Sequence, residues 1–181
     1  PLITYTDSRI VKQVAVSSNA SSKQVELEII DDADISNKLT LLLSDGGCAG
    51  IIVNSVRRAQ QLARLLKDTF GEEEVHLLHS RFLTPDRIVK EETLLGELGK
   101  PNAGRVRPAM RIIVGTQVLE QSLDIDFDVL ITDICPMDLL LQRIGRLHRH
   151  RRQRPPRLQR ALCLVTGITE DGFDSASTAI Y

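Results

Sequence analysis

The chain has 181 residues and a formal net charge of −1, with 42 % hydrophobic and 26 % charged residues. That length fits one domain around a single core, and that composition is ordinary for a water-soluble globular protein. Near-zero net charge excludes a protein that coats nucleic acid by bulk positive charge, and no run approaches the ~18–20 apolar residues that span a membrane.

The charge is nevertheless uneven. Asp31, Asp32 and Asp34 cluster near the start, whereas residues 142–160 hold many arginines and no acid, the mark of a local phosphate site on a neutral body. The three cysteines, Cys48, Cys135 and Cys163, lie far apart without a C-x-x-C pair. That spacing points to reduced thiols in the cytoplasm rather than a disulfide frame or a zinc site.

Residues 9–16 and 24–30 carry alternating apolar positions (Val11, Val14, Val16; Val25, Leu27, Ile29) on either side of the polar run Ser17 to Ser22. An antiparallel hairpin is expected, forming an N-terminal extension over 1–34. Asp34 or Ser36 is placed to cap a helix through Leu39 to Leu43 that stops at Gly46-Gly47. From here the pattern alternates. Ile51-Ile52-Val53 reads as a strand buried on both faces. Ser55 caps a helix with the stripe Val56, Ala59, Leu62, Leu65 and Leu66, ending at Gly71.

Val75 to Leu78 is the next strand, and Thr84-Pro85 opens a helix that fades near Gly96. Residues 96–109 read as a long loop exposing Lys100, Arg105 and Arg107. Ile112 to Val114 is a strand, Gln117 to Ser122 a short helical piece, Val129 to Ile131 a strand, Pro136 to Arg149 a helix and Ala161 to Val165 a strand. Such alternation predicts an α/β fold of three layers, a mostly parallel sheet with helices on both faces, over residues 35–168. Residues 169–181 are expected to be a tail or linker.

Read as a helix at about 100° per residue, Gln142-Arg143-Ile144-Gly145-Arg146-Leu147-His148-Arg149 puts Gln142, Arg146 and Arg149 within about 60° of one another, opposite Leu140, Ile144 and Leu147. Arginine suits this position because its guanidinium stays charged and its fork matches phosphate oxygens. The plainer alternative is a solvated face or loose nucleic-acid contact.

Ligands of such sheets sit at the carboxyl ends of the strands, where Asn54-Ser55, Gly115-Thr116-Gln117 and the arginine helix all fall. With Glu120 to Asp126, these segments resemble the second RecA-like domain of superfamily 2 helicases over roughly residues 35–166. Ile51–Ser55 resembles motif IV, Gly115–Asp126 motif V, and Gln142–Arg149 the Q-x-x-G-R-x-x-R form of motif VI. Residues 115–128, 139–150 and 77–82 resemble more closely the CRISPR-associated helicase–nuclease of type I systems. In that branch a serine, here Ser122, stands where many other superfamily members place glycine.

The resemblance implies an ATP-driven motor moving 3′ to 5′ on single-stranded DNA, with ATP in a cleft between this domain and a first RecA-like domain. Arg146 and Arg149 would neutralise the γ-phosphate in the transition state, and Gln142 would position the attacking water. Asp124, Gln121, Ser122 and Arg143 would line the nucleotide. Thr116, Ser55, Asn54, His79 and Arg81 would contact the DNA without reading bases. The implied partners are the first RecA-like domain, a nuclease domain, single-stranded DNA and an RNA-guided surveillance complex, with no membrane. ATP and Mg²⁺ would be held mainly by the first RecA-like domain.

The phosphate-cradling G-x-x-x-x-G-K-[ST] does not occur here: Gly46 to Gly50 lacks the following lysine and runs into a strand. Nor does a D-E-x-H or D-E-A-D carboxylate pair, nor the family's histidine–aspartate nuclease constellation. The chain is therefore expected not to hydrolyse ATP alone, and its start at Pro1 fits a piece of a larger protein. His148 and His150 form H-x-H, but the flanking arginines disfavour a metal. His76 and His79 fall on opposite strand faces. Cys135 is expected to be a core thiol, Asp126 and Asp128 to solvate a turn, and Arg151, Arg152, Arg154 and Arg157 to form an exposed basic tail, with DNA contact as the alternative. Two rival functions stay open at this level: another branch of the superfamily, such as an RNA helicase or repair translocase, and a non-enzymatic α/β module that merely binds nucleic acid.

Overall fold

The computed structural model describes residues 2–7, 10–15, 23–101, 106–120, 123–169 and 172–173. The strands are β1 (Leu2–Asp7), β2 (Ile10–Ala15), β3 (Val25–Ile29), β4 (Gly47–Ile52), β5 (Val75–Leu78), β6 (Met110–Gly115), β7 (Val129–Asp133), β8 (Ala161–Thr166), β9 (Ile168–Thr169) and β10 (Gly172–Phe173). The helices are α1 (Ile35–Leu42), α2 (Val56–Phe70), α3 (Thr84–Leu98) and α4 (Met137–Ile144). Among the described residues, six strands form one parallel sheet in the order β3-β8-β7-β4-β6-β5. This is the mostly parallel α/β sheet that the strand–helix alternation implied.

The N-terminal pairing differs from expectation. β2 pairs antiparallel with β1, not with 24–30. Val25–Ile29 instead lies parallel to Ala161–Val165 at the sheet edge, so a strand assigned to the 1–34 extension belongs to the main sheet. Alternation of apolar residues reveals a strand but not its partner, and at this sheet edge Leu27 and Ile29 stay exposed, so burial does not dictate the pairing.

The sheet is covered on both sides. On one face α1 and α2 pack Leu39, Leu62 and Leu66 against Ala49, Ile51, Val114 and Ile131. On the other, α3, α4 and the stretch 119–127 pack Leu98, Leu119, Ile125, Phe127 and Leu140 against Ile52, Ile113 and Leu130. The alternating inward and outward residues of β4 account for this two-sided burial. Gly50 is required on this second face: a Cβ there would lie 2.4 Å from the Phe127 ring.

Local signals hold where they are short-range. Ser55 Oγ accepts from Arg58 N at 3.2 Å and caps α2, and Gly71 ends it with φ +97°. No cap bond comes from Asp34 or Thr84; α3 has Leu83 at its N-cap, with Pro85 in the first turn. No described helix is long and apolar enough to cross a membrane.

Candidate functional site

The carboxyl ends of β4, β6 and β7 bring together the segments that carry the motifs. The helix expected over Pro136 to Arg149 is shorter: α4 ends at Ile144 with Gly145 as its C-cap. Leu147 then pairs with Phe127 as a parallel bridge, with Phe127 N donating to Arg146 O (2.8 Å) and His148 N to Phe127 O (2.9 Å). His148 takes φ +47°, so the chain leaves the helical path. The backbone of 145–149 is thus laid along 119–127, and helical phase does not set the directions of Arg146 and Arg149.

This arrangement still puts the two guanidinium groups on one edge. Arg146 is half-buried and donates from Nη2 to Glu120 O (2.6 Å) and from Nε to Leu119 O (3.4 Å). Arg149 is exposed. Its backbone N donates to Asp126 Oδ1 (2.7 Å), its Nη1 to Gly145 O (3.3 Å) and its Nε to Asp124 Oδ1. Burial and the nearby Arg149 charge lower the pKa of Arg146 against the opposing pull of Asp124. Gln142 is exposed on the last turn of α4. Gln121 and Ser122 lie outside the described residues.

Arg143 is not at this surface. It is fully buried and saturated: Nε donates to Glu120 Oε1 (2.8 Å), Nη1 to Thr132 Oγ1 (2.7 Å) and Asp133 O (3.1 Å), and Nη2 to Asn54 Oδ1 (3.0 Å). Successive helix residues point about 100° apart, so a neighbour of the exposed Gln142 enters the core. The expectation that Arg143 lines the nucleotide is corrected accordingly.

At the edge expected to face DNA, Ser55 accepts from the α2 amide and keeps its own hydroxyl proton to donate outward. Arg81 is exposed. Three other expected contacts turn inward. Asn54 is buried, receiving Arg143 and donating from Nδ2 to Ile134 O at 2.8 Å. Thr116 is 2 % exposed. His79 is buried against Phe82, ring centroids 4.3 Å apart, and burial holds its pKa below the ordinary histidine value.

The sequence reading also missed two ion clusters. Asp126 and Asp128, expected to solvate a turn, are buried. Arg154 donates to Asp126 Oδ1 (2.9 Å) and pairs with Asp128, Arg107 donates to Asp128 Oδ2 (2.8 Å), and Arg152 pairs with Asp126. Against the penalty of burial, Arg107 holds the Asp128 carboxyl below the usual range. Arg152, Arg154 and Arg107 are therefore not free surface cations. In the second cluster, Asp133 accepts from Asn54 N (2.8 Å), Arg58 Nε (2.9 Å) and Thr166 Oγ1 (3.0 Å), and Arg58 reaches on to Asp32. An excess of arginine beside isolated aspartates was the available signal, but pairing across 20 or more residues has no local signature.

The family model of the CRISPR-associated nuclease/helicase Cas3 C-terminal domain matches residues 45–152. The chain belongs to this family. This Cas3-type chain is 47 % identical over 182 residues to the CRISPR-associated nuclease/helicase Cas3 of Streptococcus thermophilus, covering 100 % of the chain and 19 % of that protein. It superposes on the crystal structure of T. fusca Cas3 with a TM-score of 0.86 at 31 % identity, covering 100 % of this chain and 23 % of that one. Crystal structures of T. fusca Cas3 in ADP, AMPPNP and ATP forms are similar to it as well. So is a chain of a CRISPR RNA-guided surveillance complex in a pre-nicking state, with TM-score 0.79 and 30 % identity over 94 % of this chain and 23 % of that one. The chain thus spans about a fifth of the length of these relatives.

Proposed function

We propose that this chain is the second RecA-like half of an ATP-driven 3′–5′ single-stranded DNA motor in a Cas3-type helicase–nuclease. The observation that carries the reading is that Arg146 and Arg149 sit close enough on one edge for their charges to interact, with Asp124 beside both. Two fixed cations there suit the charge that spreads over phosphoryl oxygens during transfer. The ATP forms of the T. fusca relative support a nucleotide as the anion.

In this reading Arg146 and Arg149 are held by main-chain and aspartate contacts until a neighbouring domain delivers the γ-phosphate. Gln142 orients the attacking water, and Asp124 exchanges Arg149 for a ribose hydroxyl, which can donate to its carboxylate. Gln121 and Ser122 are assigned to the nucleotide by their motif positions. Mg²⁺ and the phosphate loop belong to the first RecA-like domain, so this chain alone does not turn over ATP. Ser55 and Arg81 contact the DNA backbone, which suits a motor indifferent to sequence. The parent protein works in the cytoplasm with its nuclease domain and an RNA-guided surveillance complex.

Arg149→Ala in the parent protein tests this. ATP turnover is expected to fall by about 10³-fold or more while single-stranded DNA affinity holds. Normal turnover with lost DNA binding would overturn the reading in favour of a passive nucleic-acid module. ATPase stimulation by RNA but not by DNA would overturn the choice of strand.

A further inference from the structure

The buried chain of contacts around Arg143 joins the two edges that the motor reading assigns to different ligands. At one end, Asn54 precedes Ser55, and its main chain is fixed by Asp133. Asn54 Oδ1 receives Arg143 Nη2 at 3.0 Å. Arg143 Nε donates to Glu120 Oε1 at 2.8 Å, and the carbonyl of the same Glu120 receives Arg146 Nη2 at 2.6 Å. Four residues from the link between β4 and α2, from α4, from the 116–120 turn and from the segment after α4 thus form one hydrogen-bonded line through the interior. A fully buried guanidinium is rare and costly, which makes an unneeded one improbable on chemical grounds. The other Glu120 oxygen, Oε2, is buried with no hydrogen bond among the described residues. A buried network with an unused acceptor has a second arrangement at hand, which is what transmission of a signal requires.

We propose that Arg143 is a positioning residue that links the DNA edge at Asn54-Ser55 to Arg146, so that DNA occupancy sets the alignment of Arg146 for hydrolysis. This rests on the motor reading above. DNA phosphate drawn to Ser55 shifts the end of β4; Asn54 moves with it, and Arg143 passes the shift to Glu120 and hence to the carbonyl that holds Arg146. Arg143 touches neither ligand.

The test measures ATP hydrolysis by the parent protein with and without a single-stranded DNA oligonucleotide. DNA affinity is read by anisotropy and folding by melting temperature. Asn54→Ala removes the link at its DNA end and Glu120→Gln weakens it at the other. Both are expected to reduce the fold stimulation by DNA about threefold to thirtyfold while DNA affinity stays near that of the unaltered protein. Asn54→Asp, which keeps an acceptor for Arg143, is expected to retain stimulation. Thr132→Val removes an Arg143 bond that lies off the line, so it is expected to lower the melting temperature yet leave stimulation intact. If Asn54→Ala does not fold, Glu120→Gln decides. Unchanged stimulation in the folded link variants would overturn the inference and leave the motor reading standing, as would an equal loss in Thr132→Val. Absence of DNA stimulation in the unaltered protein would overturn both.

Discussion

Arg149 donates from Nε to Oδ1 of Asp124, 25 residues earlier in the chain. The same oxygen lies 3.3 Å from His150 Nε2. The carboxyl is half exposed, and the Arg149 hydrogen bond, more than any other influence, holds it below the ordinary aspartate pKa. A depressed carboxyl stays ionised to lower pH than usual, so the contact is intact above the ordinary carboxylate range and is lost only as pH falls through the lowered value. A carbon-detected NMR titration of this chain should place the Asp124 midpoint below that of a free aspartate. Arg149→Ala should move it back up. A midpoint unmoved by that substitution would mean that the two residues do not pair in solution.

Arg143 gives a second prediction, about stability. Removing one partner of a buried ion pair strands the other, at a cost of about 3–5 kcal/mol. Arg143→Ala should therefore lower the melting temperature by about 6–20 °C for a chain of this size, measured by calorimetry or circular dichroism. A shift as small as that of a surface substitution would place Arg143 in solvent.

A third concerns Gly50, whose Cβ would stand 2.4 Å from the Phe127 ring. Overpacking of this kind costs about 1–3 kcal/mol. Gly50→Ala should destabilise the chain by that amount in urea unfolding. Phe127→Leu added to it should recover part of the loss, because the two sites share one space. Simple additivity of the two substitutions would argue against the contact.

Fourth, burial pushes the thiols of Cys48 and Cys163 up to about 12. Thiolate is the reactive form, so both should resist alkylation in the native chain near pH 8 and react fully in denaturant. Cys135, half-buried and raised in the same direction by burial, should be alkylated before either. Mass spectrometry of native and denatured samples reads the order directly.

Much of the fold was legible because its signals are local. Continuous apolar runs marked β4 to β8, Ser55 marked the start of α2 and Gly71 its end. The motif segments sit at the carboxyl strand ends, where the alternation placed them. The failures are just as particular. The 100° rule continued the arginine helix to Arg149, since nothing in eight residues announces that Leu147 will pair with Phe127. The family resemblance also made Arg143 a ligand contact, although its partners Glu120, Thr132 and Asn54 lie 23, 11 and 89 residues away.

By itself, then, the sequence determined the elements, the layered α/β class and the residue types available at the strand ends, because backbone propensity and apolar periodicity act over a few residues. Only the tertiary structure decided that β3 is a parallel edge strand and that Asp126 and Asp128 are buried anchors. It alone decided which arginine of the motif faces outward and which is sealed within. Those outcomes depend on which distant groups meet in a medium where an unpaired charge is prohibitive, and no local pattern encodes such a meeting.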